Sequence, residues 1–168
     1  MADAGFDIAE LFRRNHLELV RLALLLVGDR PTAEDVVQEV FASLHMRRER
    51  LSLSGDPLAY ARVAVLNRCR SVLRRRAVAR RFAGGRELRL DESNRSAEHE
   101  VISSEERRQV MAALAALPRR RREVLVLRYY LDLNEAEIAR VLRIKPGTVK
   151  STAARGLAAL ARSLGEES

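Results

Sequence analysis

Residues 133–160 read LNEAEIARVLRIKPGTVKSTAARGLAAL, and their spacing predicts two helices joined by a tight turn. Asn134 can cap the first helix, with Glu137 three residues on reaching back to the cap, so that two otherwise unpaired backbone donors are satisfied together. That helix is expected over residues 135–142. Residues 143–145 interrupt the pattern, and Pro146, with its fixed φ and missing N–H, suits the first turn of a second helix. Val149, Ala153, Leu157 and Leu160 recur at helical spacing as a packing face, while Thr148, Lys150, Ser151 and Arg155 can project from the other side. Such a pair forms a helix-turn-helix, whose second helix can enter the major groove of DNA. An ordinary helical hairpin shares the periodicity, so the rest of the chain must decide.

The chain has 168 residues, enough for one domain or two small ones. Hydrophobic residues make up 47% but aromatics only 4%, with no Trp, so any core is built from Leu, Val and Ala. That composition favours helices, and no long alternating Val/Ile/Thr run predicts a strand. An all-α protein of two small helical domains is expected. The formal charge of +8 is uneven. Residues 61–90 carry ten basic side chains against one acidic, and residues 117–168 carry eleven against six, whereas residues 1–60 and 91–116 are net acidic. Two basic blocks set apart in this way imply two contacts with a polyanion. All but two of the 31 basic residues are Arg, which suits bidentate phosphate and base contacts and equally reflects a GC-rich genome. The lone Cys69 excludes an internal disulfide and fits a reducing compartment. The longest apolar run, residues 22–27, is far too short to span a membrane, and Asp3 and Asp7 stand where a signal peptide would be basic. A cytoplasmic protein without membrane insertion is expected.

Taken in order, residues 7–27 place Ile8, Leu11, Phe12, Leu19, Leu22, Ala23 and Leu26 on one helical stripe, stopped by Gly28. In TAEDVVQEVFASL, residues 32–44, Thr32 and Asp35 form a capping-box pattern. Burial of Ala33, Val36, Val37, Val40, Phe41 and Leu44 there leaves Glu34, Asp35, Gln38 and Glu39 outside, either as a solvated face or as a docking face. Residues 47–56 read as a loop, and Pro57 opens a long helix, PLAYARVAVLNRCRSVLRRRAVARRF. Leu58, Ala61, Val65, Cys69 and Val72 line its inner side. Tyr60, Asn67, Ser71 and Arg74 fall on roughly the opposite side, flanked by Arg70 and Arg75. An aromatic, an amide and arginines on one exposed face can stack on and hydrogen-bond unpaired bases while holding the backbone. From residue 84 to 104 the periodicity lapses and Gly84-Gly85 predicts a linker. The expected domains are residues 1–82 and 105–168, joined by residues 83–104. The second contains helices over 105–117 and 119–131, the latter burying Val124, Leu125 and Leu127, followed by the helix-turn-helix.

These pieces match a family. AEDVVQEVF at residues 33–41 resembles the region-2 signature of bacterial RNA polymerase sigma factors, and LPRRRREVLVLRYYLDLNEAEIARVLRIKPGTVKS at residues 117–151 resembles their region 4. A short chain with only these regions, in this order, is similar to the extracytoplasmic-function (ECF) group, and RYYLDLNEAEIA with GTVKST resembles its actinobacterial SigE-like branch. The resemblance implies a dissociable, non-enzymatic subunit. Its partners would be core RNA polymerase, through the largest subunit's clamp helices and the flap, and promoter DNA; the resemblance also admits an anti-sigma factor. No cofactor is implied. By position, Asp35, Gln38 and Glu39 would meet the clamp helices. Asn67 matches the asparagine near the flipped downstream-element base, and Tyr60, Arg70, Ser71, Arg74 and Arg75 complete that surface, although Tyr60 stands where Trp is common and Ser71 replaces a frequent Asp. Thr148, Lys150, Ser151 and Arg155 match the positions that meet the upstream element, and Arg119 to Arg122 and Arg128 fit phosphate or scaffold roles. Arg143 occupies a turn position where the family usually has Gly, and Lys145 one where a capping Ser is frequent.

Two other readings compete. A LuxR-type activator also carries EIA and TVK, yet the first 82 residues show no α/β receiver pattern. A metal-dependent nuclease would need Glu34, Asp35, Glu39 and His45 to converge, but Glu34 and Asp35 diverge on a helix and no second His lies near His45. His16 and His99 are isolated, and Cys69 lies on the apolar side of its helix.

Overall fold

A computed structural model describes residues 7–47, 55–83 and 101–165. The chain divides into two compact units, Met1–Asn94 and Arg95–Ser168. Residues 48–54 of the expected loop and 84–100 of the expected linker, with His99, lie outside the described residues. All elements among the described residues are helical.

The first unit contains α1 (Ile8–Val27), α2 (Arg30–Met46) and α3 (Pro57–Phe82). Asp7 caps α1 by accepting from the Ala9 N–H at 2.9 Å, and Gly28 ends it at φ 92°, a conformation only glycine adopts without a Cβ penalty. The three helices bury Leu19, Leu22 and Leu26 of α1, Val36, Val37 and Phe41 of α2, and Ala61, Val65, Leu66 and Cys69 of α3. Phe12 meets Phe41 edge-on with ring centroids 4.8 Å apart, the favoured aromatic geometry. Leu66 joins the inner side of α3 beyond the expected stripe, whereas Leu58 and Val72 are only partly buried.

The start of α2 differs from the Thr32–Asp35 capping box read in the sequence. Asp29 is the cap: its Oδ1 accepts from the Thr32 N–H at 3.0 Å, with Pro31 in the first turn. The Thr32 hydroxyl instead accepts from Arg76 Nη2 at 2.6 Å. Arg76, from the far end of α3, also donates to Asp29 Oδ2 at 2.7 Å and to the Val27 carbonyl at 3.1 Å. One guanidinium therefore serves an orphan carbonyl at the end of α1 and the capping carboxylate of α2. Nearer the start of α3, Arg62 pairs with Glu18 of α1 at 2.7 Å, both side chains half-buried.

The second unit contains α4 (Val101–Ala116), α5 (Arg119–Leu125), a wider π-helical turn (Val126–Tyr130), α6 (Glu135–Leu142) and α7 (Pro146–Gly165). The expected helix over 119–131 is thus two pieces. In the second, the Leu131 N–H bonds the Val126 carbonyl five residues back at 3.3 Å. Glu123, Val124, Leu125, Val126 and Leu127 are all buried, so this segment is surrounded rather than amphipathic, and more of it is core than its periodicity predicts. Buried Glu123 lies 3.7 Å from Arg119 and 3.6 Å from Arg120. Arg122 donates to the Ala115 and Leu117 carbonyls at the end of α4, and Arg120 to the Leu142 carbonyl ending α6. Burial pushes the Arg122 guanidinium below its ordinary pKa, with the neighbouring Glu123 carboxylate opposing the shift.

Partial burial disfavours the charged form of Asp29, but hydrogen bonds from Thr32 and Arg76 outweigh it and hold the carboxyl below its ordinary 3.8. A carboxylate depressed in the folded state contributes stability that is complete above the unfolded value and lost as pH falls through the folded one. Between pH 5 and the acid transition, urea melts of the first unit should therefore lose more stability in the wild type than in Asp29→Asn. At neutral pH, Arg76→Ala should cost about 1–2 kcal/mol in the same melts, since charged hydrogen bonds contribute roughly 1.5–3 kcal/mol and this one is partly solvated.

Candidate nucleic-acid interface and docking face

On α2, the side chains of Asp35, Gln38 and Glu39 are exposed, as their positions opposite the buried Val36, Val37 and Val40 require. Glu34 is half-buried and pairs with Arg30 one turn earlier at 2.7 Å. Glu39 pairs instead with Arg68, reaching across to α3. Among the described residues no three His, Cys, Asp or Glu side chains are grouped to hold a metal ion, and the Glu34, Asp35, Glu39 and His45 set does not converge.

Between α2 and α3 lies a cleft of about 530 Å³ whose walls include Glu39, Arg47, Tyr60, Asn67, Arg68 and Ser71. Three of the residues expected to face unpaired DNA, Tyr60, Asn67 and Ser71, therefore meet at one concavity. Tyr60 is 45% exposed, leaving its ring face available for stacking. Asn67 offers both a donor and an acceptor to a base edge, and the Ser71 hydroxyl is anchored on the Asn67 carbonyl at 3.3 Å. Arg70 donates to the Asn67 side-chain oxygen at 3.3 Å, fixing the amide's orientation. Arg74 and Arg75 stand exposed further along α3 and do not line the cleft. Arg47 and Arg68 do line it, and both escaped the sequence reading. Arg47 is the first residue of the stretch read as loop and caps the end of α2, and Arg68 is one of many arginines in its helix, with nothing in the linear pattern to mark it as Glu39's partner. An open aromatic-and-amide cleft lined by guanidinium groups has room for a base lifted from its stack while the adjoining phosphates are neutralised.

In the second unit the predicted capping box is present. The Glu137 N–H bonds Asn134 Oδ1 at 2.9 Å, and the Asn134 N–H bonds Glu137 Oε2 at 2.8 Å. Arg143 ends α6 at φ 54°, ψ 50°, in the left-handed region, and the Ile144 N–H reaches back to the Ala139 carbonyl at 3.0 Å. This is a Schellman-type stop, built here on a residue with a Cβ. The inner face of α7 departs from the expected Val149, Ala153, Leu157 and Leu160. Val149, Thr152, Ala153 and Gly156 are the buried residues, and Leu157 is 42% exposed. The reason is close approach: a Cβ on Gly156 would lie 3.1 Å from the Leu125 side chain, so small residues set the seam and Leu157 is turned outward. Thr148, Lys150 and Arg155 project to solvent and Ser151 is half-exposed, its hydroxyl bonded to the Thr148 carbonyl at 3.2 Å. These four share the outer face of a helix whose first residues, Pro146 and Gly147, are exposed. This arrangement allows side chains to reach groove edges.

The Sigma-70 region 2 family model matches residues 11–84, and the model for Sigma-70, region 4 matches residues 107–160. The chain is 33% identical over 161 residues to the ECF RNA polymerase sigma factor SigM of Mycobacterium tuberculosis, covering 96% of this chain and 78% of the relative. It is 30% identical over 158 residues to the RNA polymerase sigma-E factor of Streptomyces coelicolor, covering 94% and 86%. Among solved structures, the sigma factor RpoE of Bartonella quintana, in complex with the anti-sigma factor NepR, shares the fold with a TM-score of 0.71 at 18% identity, covering 93% of this chain and 97% of that one.

A left-handed residue bearing a Cβ costs roughly 1–2 kcal/mol, part of which glycine returns through its larger unfolded-state entropy. Arg143→Gly is therefore expected to stabilise the second unit by about 0.5–1 kcal/mol, read as a raised thermal midpoint.

Proposed function

The chain belongs to the ECF group of sigma-70 RNA polymerase sigma factors, and we propose from that premise how its surfaces divide the work of promoter-specific initiation. As a transcription initiation factor it binds core RNA polymerase and directs it to promoter DNA. The exposed Asp35, Gln38 and Glu39 face of α2 docks on the basic clamp helices of the largest polymerase subunit, and the second unit engages the flap. The cleft between α2 and α3 takes the downstream element. Asn67 reads the edge of a flipped base, Tyr60 stacks, and Ser71 and Arg70 hold the amide in place. Arg74 and Arg75 track the phosphates beyond the cleft. The outer face of α7, with Thr148, Lys150, Ser151 and Arg155, takes the upstream element in the major groove.

The observation that carries this reading is the convergence of Tyr60, Asn67 and Ser71 on one cleft, roomy enough for a nucleotide, immediately beside the acidic docking face. Lifting a base from its stack costs a few kcal/mol, more than a small unit recovers alone. Polymerase joins the two DNA-reading units and makes the second contact intramolecular, which raises the effective concentration without new contacts. The chain performs no bond chemistry of its own in this scheme and needs no cofactor. It works in the cytoplasm beside the chromosome, and no helix among the described residues is long and apolar enough to cross a membrane. An anti-sigma factor is a further partner of the same proposal, in keeping with the complex of the similarly folded RpoE.

Run-off transcription with core polymerase, the purified chain and a genomic template library should give initiation that depends on the chain; its absence would count against the assignment. Asp35→Arg combined with Glu39→Arg should weaken capture of core polymerase at least tenfold with an unchanged circular-dichroism spectrum, and undiminished capture would remove the docking face. Arg155→Ala should lower occupancy of the upstream element by about tenfold, within the roughly 1–3 kcal/mol of a good base contact. Equal occupancy would take Arg155 out of recognition.

A further inference from the structure

The cleft and the docking face share a residue. Glu39 is exposed with the docking carboxylates of α2, yet it also lines the cleft, where it pairs with Arg68 of α3. Arg68 immediately follows Asn67 in the sequence and lines the same wall. Its Nη2 is held by Glu39, while its Nε is buried without a hydrogen-bond partner among the described residues. A buried guanidinium N–H left in this state has lost its hydration and gained nothing in return. The other polar groups of the cleft lining, on Ser43, Tyr60, Asn67 and Ser71, are neutral, and Glu39 is the one carboxylate among the lining residues.

We propose that Arg68 is a shared cation that couples polymerase docking to capture of single-stranded DNA: Glu39 holds it in the free chain, and engagement of Glu39 by polymerase releases it to an acceptor on the nucleotide in the cleft. The proposal rests on the assignment of the α2 face to polymerase. Its logic is competition for one carboxylate. The Glu39 side chain is 52% exposed and open to a basic partner, whereas Arg68 is 34% exposed and sits on the cleft wall. A cation on polymerase that takes Glu39 leaves Arg68 with no counter-charge in this cleft, and a phosphate or base oxygen entering there restores one. The coupling is reciprocal by linkage, so DNA in the cleft also strengthens the hold of polymerase on the α2 face. The free chain is thereby kept from binding single strands indiscriminately, its cleft cation being occupied until the enzyme is present.

The test measures binding of a fluorescently labelled single-stranded DNA, carrying the downstream element mapped by run-off transcription, to the full chain with and without core polymerase. In the free chain, Glu39→Gln should raise affinity about fivefold, while Asp35→Asn, which removes the same charge from the same face, should change it by less than twofold. The gain should vanish in the double variant Glu39→Gln with Arg68→Gln. With polymerase present, Arg68→Gln alone should weaken DNA capture about tenfold, and Arg68→Lys should recover part of that loss; thermal melts confirm that each variant is folded. Equal gains from Glu39→Gln and Asp35→Asn, or a gain that survives loss of Arg68, would overturn the proposal. The free-chain arm does not depend on where polymerase binds. If Asp35→Arg with Glu39→Arg keeps full polymerase capture while the free-chain arm succeeds, the docking assignment fails and the Arg68 exchange stands.

Discussion

Arg76 closes the point at which the three helices of the first unit meet. Its guanidinium binds the last carbonyl of α1, the carboxylate that caps α2 and the hydroxyl of Thr32, all from a position in the last third of α3. With α3 tied to the α1–α2 corner at that end and to α1 through Arg62 and Glu18 at the other, its rotation and register against α2 are fixed. The cleft depends on that register. A turn of α3 by one residue would carry Asn67 and Tyr60 away from Glu39 by about 100° and dissolve the concavity.

The second unit uses arginine in the same manner. Arg122 satisfies carbonyls at the end of α4 and Arg120 the end of α6, while Glu123, buried between Arg119 and Arg120, balances part of the charge. With aromatics at 4% and no Trp, large anchors that lock helices by shape are few, the Phe12–Phe41 pair of the first unit being one. Planar, multi-donor side chains at helix ends supply the missing directionality. The Arg-rich composition thus serves two ends at once, joining helices on one side and presenting charge to a polyanion on the other.

What was legible in the sequence is what depends on near neighbours. The Asn134–Glu137 box, the stop at Gly28, the helix opening at Pro57 and the start of α7 at Pro146 each rest on residues within a turn of one another. That Tyr60, Asn67 and Ser71 share a face was legible too, because their spacings return to one side of a helix, but the cleft that this face helps to form, and that Arg74 on the same face does not line, was not. What escaped depends on residues far apart. Asp29 rather than Thr32 caps α2 because Arg76, 44 residues beyond Thr32, claims the threonine hydroxyl. Arg68 acquires a meaning only through Glu39 on another helix. Leu157 is apolar at a helical spacing and still faces outward, because the seam of α7 is decided by how near Leu125 comes.

That seam has a consequence for how such a protein diversifies. With Gly156 against Leu125, α7 approaches its support so closely that a Cβ at this point would crowd the neighbouring side chain at 3.1 Å. The recognition helix is therefore keyed to its support, as a type slug is keyed to its bed. The side chains on the outer face, at positions 148, 150, 151 and 155, take no part in that seam, so they can be exchanged one at a time without renegotiating the packing beneath them.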